Sequence, residues 1–92
     1  MRQREVEGLA QFPQGRATVR ELTIGEMRRV RRDSADDEER GLRMLSVALV
    51  DPVLTVADLD AMPASAMPDL VKLTEAVGDL QRPEEAPADP PA

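Results

Sequence analysis

Cysteine, histidine, tryptophan and tyrosine are all missing from these 92 residues, and phenylalanine occurs once, as Phe12. Without cysteine there is no disulfide framework and no thiol nucleophile, which fits a reducing compartment. Without histidine the commonest general base and the commonest metal ligand are gone. With a single aromatic ring, the core has to be built from Leu, Val, Met and Ala. A chain this short buries only about 60% of its unfolded surface. Modest stability alone, with help from self-association or a partner, is therefore expected.

Long apolar runs are also missing. None approaches the roughly 20 residues of a membrane span. The first ten residues, MRQREVEGLA, lack the apolar segment of a secretory signal. Cytoplasm is the expected location, with no membrane partner. Positive charge is in the minority, at 12 basic against 18 acidic residues and a net charge of -6. That balance argues against broad binding to nucleic acid.

What is present reads as a succession of short, well-punctuated elements. Val6, Leu9 and Phe12 are the only sizeable apolar residues near the start. Pro13-Gln14-Gly15 is a turn signal, with proline suited to a first turn position and glycine to positive φ. Thr18 to Leu22 reads as a strand, and the preceding segment is either its hairpin partner or a loose arm. Thr23-Ile24-Gly25-Glu26 forms a capping box. It opens a helix from Ile24 to about Arg32, with Ile24, Met27 and Val30 as its apolar side.

A polar break from Asp33 to Glu39 follows, with Ser34 or Asp36 as the next N-cap. Leu42, Met44, Leu45, Val47, Ala48, Leu49 and Val50 then predict a central, well-covered helix that ends at Asp51-Pro52. Thr55 and Asp58 cap a short helix from Val56 to Met62, with Leu59 and Met62 buried. Ser65 caps a last helix, in which Leu70, Leu73, Val77 and Leu80 make a single stripe ending at Gln81-Arg82-Pro83. The expected fold class is mainly α: about four helices, a short N-terminal strand or β-hairpin, and a disordered C-terminal tail. The expected division is 1–16 as arm or hairpin strand, 17–82 as the helical domain, and 83–92 as a Pro-rich acidic tail.

Few motifs carry chemistry. Arg28, Arg29, Arg31 and Arg32 could contact phosphates or an acidic partner. The competing reading is a solvated face neutralised by Asp33, Asp36, Asp37, Glu38 and Glu39. With no interleaved aromatics there is no base-stacking platform, and nucleic acid is not the expected partner. The acidic run lacks the spaced ligands of a calcium loop and reads as a helix start. No catalytic residue, cofactor site or metal site is expected. The leucine-valine stripe is either core or a seam for a partner or a second copy. Methionine adapts readily at apolar contacts. Met62 and Met67, together with Leu70, Leu73, Val77 and Leu80, are the expected partner-binding residues.

Four phrases carry a resemblance: Val19-Arg20-Glu21-Leu22-Thr23, the Asp51-Pro52 stop, the Leu54-Thr55 cap, and the Leu59 to Pro63 turn into the last helix. Over residues 17 to 81 the chain resembles the tail assembly chaperones of long-tailed bacteriophages and related prophages. The resemblance implies a small, non-enzymatic, mainly helical protein that binds the long helical tape measure protein and keeps it soluble during assembly. It also implies self-association, a longer frameshifted form in some members, and absence of the chaperone from the finished particle. A small structural component of the virion, or a helical nucleic-acid-binding regulator, would be the alternatives.

Overall fold

A computed structural model describes residues 2–82, and the tail expected at 83–92 lies outside the described residues. Strand β1 (Gln3–Glu7) leads through a turn at Pro13–Gly15 into β2 (Arg16–Arg20). Helices α1 (Ile24–Asp33) and α2 (Asp37–Ala48) follow, then β3 (Leu49–Asp51), the short α3 (Val56–Asp60) and the long α4 (Met67–Gln81). The three strands form one antiparallel sheet in the order β1-β2-β3. The fold class is thus α+β, although most of the chain is helical, and this corrects the expectation of a mainly α domain.

The correction turns on Leu49–Asp51. An apolar run such as Ala48-Leu49-Val50 fits a buried helix and a buried strand equally well by periodicity. In the fold the helix ends at Ala48, and Leu49 turns extended, at φ -71° and ψ 119°. Leu49 then lies opposite Val19, and Asp51 lies opposite Thr18. Val50 is the extra residue of this irregular pairing, which places β2 in the centre of the sheet rather than at the rim of a hairpin.

β1 pairs with β2 along its whole length, Gln3 opposite Arg20 through Glu7 opposite Arg16. Gln3–Glu7 is therefore paired as the hairpin partner of β2 rather than a loose arm. The turn uses left-handed backbone at both Gln14 (φ 63°) and Gly15 (φ 69°). Glycine at the second of these positions was legible, and a glutamine in the same region was not. Alternation in β2 sends Ala17 and Val19 inward and leaves Thr18 and Arg20 half-buried.

α4 covers the inner face of the sheet. Leu70, Leu73, Ala76, Val77 and Leu80 pack there with Leu9, Phe12, Val19 and Leu45 in one core. Polar ties lock the same seam. The Arg2 guanidinium donates to the carbonyls of Leu80 and Arg82, groups that a helix end leaves without partners. Lys72 Nζ donates to the Gly8 carbonyl at 3.1 Å.

Asp69, in the first turn of α4, is the one buried charged residue among those described. Its carboxylate accepts the Gln11 backbone N–H at 2.8 Å and so fixes the loop between β1 and β2. A hydrogen bond to a charged group contributes about 1.5–3 kcal/mol. Asp69→Ala is accordingly expected to destabilise the protein by about that amount. Urea unfolding checks it, and a midpoint unchanged from wild type would show that the loop does not depend on this bond.

Candidate functional site

The site is best built from Arg20, the last residue of β2. Its Nη1 donates to Glu26 Oε1 at 2.9 Å, and its Nη2 donates to Glu26 Oε2 at 2.8 Å. This two-pronged pair is the strong, orienting form of a charged contact. Glu26 is also the third residue of α1, where its carboxylate accepts the Thr23 N–H at 2.9 Å. The Thr23 hydroxyl accepts the Glu26 N–H in return, completing the capping box foreseen from sequence. The Arg20 guanidinium, followed by the Thr23 backbone bond, holds the Glu26 carboxyl well below its ordinary 4.5, at about 2. Glu26 is therefore ionised near neutrality and serves as an anchor for α1, with no proton to give.

α1 is held at one side only. Val30 is its single buried residue. Ile24 and Met27, expected to share that side, are 75% and 37% exposed. The physical reason is the spacing. Steps of three residues rotate by about 60° short of a full turn, so Ile24 and Val30 end up about 120° apart on the helix. Ile24 instead shares a face with Met27, Arg28 and Arg31, at i, i+3, i+4 and i+7.

The arginines of this helix are not neutralised as the acidic flank suggested. Arg32 pairs with its neighbour Asp33 at 3.2 Å. Among the described residues Arg28, Arg29 and Arg31 have no ion pair. The acidic start of α2 is instead occupied within its own helix. Asp36 accepts the Glu39 N–H as the N-cap, Asp37 pairs with Arg40, and Glu39 pairs with Arg43 at 2.8 Å. Helical neighbours three and four apart meet more readily than residues across a break, so Asp36, Asp37 and Glu39 are satisfied locally.

Between α1 and α2 lies a groove of about 240 Å³. Val30, Val47 and Val56 supply its apolar wall, and Arg29, Asp33 and Arg43 its charged rim. Ser46 also lines it, with its hydroxyl donating to the Leu54 carbonyl at 2.8 Å. Every buried side-chain polar atom among the described residues has a partner, so no orphaned group points at a missing ligand. No group of three or more Asp and Glu there could hold a metal ion.

The six expected partner-binding residues fall into three groups. Leu70, Leu73, Val77 and Leu80 are buried in the core beneath the sheet, so the folded chain offers none of them to a partner. Their stripe faces inward because β1 and β2 give α4 a second layer to cover. Met62 is half-buried against the same core. Met67 alone is well exposed, and Val71, one turn along α4 and also half exposed, stands beside it. Val53 adds a third apolar point on the loop before α3, 77% exposed.

Some functional positions had no signature in the sequence. Arg20 reads as an ordinary outward strand residue, and only its place just before a capping box hints at the pair with Glu26. No helix among the described residues is long and apolar enough to cross a membrane. Comparison of the chain with protein-family models, with curated proteins and with solved structures finds no match.

Proposed function

We propose that this protein is a non-enzymatic binding module that holds a long helical partner in solution, in the manner of the tail assembly chaperones it resembles. The observation that carries this reading is the outer face of α1. A side chain as apolar as Ile24, three-quarters exposed on a helix anchored by a two-pronged ion pair, is a contact held ready on a firm support. Met67 and Val71 on α4 offer a second adaptable patch.

The titratable groups support the same reading. Glu26 and Asp58 have their carboxyl pKa values lowered, Glu26 mainly by Arg20 and Asp58 mainly by the Thr55 backbone bond. Both act as helix caps. Catalytic acids are more often raised toward neutrality. The net charge of -6 suits a protein that must keep an apolar client dissolved.

Co-expression with a long helical phage tail protein, of the tape measure kind, tests the proposal. The tail protein is expected to move from the insoluble to the soluble fraction and to co-purify with this chain. Equal insolubility with and without the chain would overturn it.

A further inference from the structure

We infer that the outer face of α1 is a docking surface for an acidic amphipathic helix. This deepens the proposed function and rests on it for the identity of the client, though the surface itself is argued from charge and exposure. Ile24, Met27, Arg28 and Arg31 lie in one row along a helix of ten residues. That is about 15 Å, or nearly three turns, enough to meet three turns of a partner helix. Ile24 and Met27 are exposed apolar anchors toward the start of α1, and Arg28 and Arg31 continue the row without an ion pair among the described residues. An apolar patch continued by cations is complementary to a helix that sets Glu or Asp beside an apolar stripe.

Charge complementarity selects the acid. α1 carries four arginines against Glu26 and Asp33. Glu26 is already bound by Arg20, and Asp33 by Arg32. The face is therefore locally basic on a protein whose net charge is negative. A broad polyanion, such as a lipid surface or a nucleic acid, is disfavoured. It would also meet Glu38, which has no ion pair among the described residues, in the first turn of α2, which begins four residues after α1 ends. The single aromatic ring, Phe12, is buried, so no base-stacking or interfacial anchor stands on this side.

The full chain would be titrated with a designed amphipathic peptide bearing a leucine stripe edged by glutamates, and with the same peptide edged by lysines. Binding is expected for the acidic peptide, weakening with added salt, and at least tenfold weaker for the lysine form. The double variant R28E/R31E, at exposed positions remote from the core, should reverse that preference. Ile24→Ser should weaken both forms of binding in its own background. Equal binding of the two peptides, an unchanged preference in the double variant, or tighter binding to anionic vesicles or to duplex DNA would overturn the inference. The co-expression experiment separates this inference from the function it builds on. If R28E/R31E solubilises the tail protein as well as wild type does, the surface falls and the proposed function stands. If the acidic peptide binds through α1 but the tail protein stays insoluble, the proposed function falls and the surface stands.

Discussion

Replacing Leu73 by alanine is expected to lower the stability by about 2–5 kcal/mol. Leu73 is fully buried in the middle of α4, a helix that packs against β1, β2 and α2. Truncation there removes transfer free energy and also leaves a cavity, because the surrounding side chains relax only in part. A domain of this length has a total stability of about 5–14 kcal/mol, at roughly 0.05–0.15 kcal/mol per residue. The substitution therefore removes a large share of what holds the fold together. Val71→Ala, two residues away on the half-exposed side of the same helix, is expected to shift stability by about 0.5 kcal/mol or less. Urea unfolding of both variants is the measurement. Similar losses for the two would mean that α4 does not bury the face described here.

The second large effect concerns Glu26. Glu26→Ala breaks the two bonds to Arg20 and half of the Thr23 capping box. A lost cap costs about 1 kcal/mol, and a hydrogen bond to a charged group about 1.5–3 kcal/mol. These overlap rather than add, and the expected loss is about 2 kcal/mol. The pH dependence has a definite sign. Arg20 and the Thr23 N–H stabilise the ionised carboxylate, so the folded pKa lies below the unfolded one, at about 2 against 4.5. The contribution of Glu26 is therefore complete above about pH 4.5 and is lost as pH falls toward 2. Glu26→Gln keeps the shape and removes the titration. The stability gap between wild type and E26Q should be constant near neutrality and should close between about pH 4.5 and 2. A gap that stays constant through that window would show that the pair with Arg20 does not form in solution.

Local signals account for much of what was legible. The capping box at Thr23 and the N-cap at Thr55 occur where the sequence places them, and the structure makes the second a full capping box with Asp58. The N-cap of α2 is Asp36, one of the two residues expected. The end of α4 at Gln81 was also readable. Each of these depends on residues within one turn of each other, which is the range over which a sequence pattern acts directly. The last helix differs at its start. Ala66, with no side-chain cap, precedes it where Ser65 was expected to act. A single turn at Ala64–Ala66 already winds the chain into the helix, and the Ala66 N–H donates to the Pro63 carbonyl at 2.8 Å.

The site was less legible than the fold. Ile24 and Met27 were foreseen as apolar, but their exposure depends on which side of α1 the strand β2 and helix α2 approach. Leu70, Leu73, Val77 and Leu80 present the reverse case, a stripe whose role depends on whether another layer covers it. A periodic apolar stripe states that a helix has a face and leaves open what meets it.

The sequence by itself determined the N-terminal caps of α1, α2 and α3, the turn at Pro13–Gly15, the shortage of acid–base chemistry and the acidic net charge. These follow from residue type and near-neighbour geometry. Only the tertiary structure decided that Leu49–Asp51 is a strand, that Arg20 clamps Glu26, that Asp69 holds the Gln11 amide, and that the arginines of α1 stand unpaired beside Ile24. Each of those depends on groups more than one turn apart in the chain, from six residues for Arg20 and Glu26 to 58 for Gln11 and Asp69, or on what fails to come near. Side chains meet across a fold according to how whole elements pack, and a local pattern carries no record of that distance.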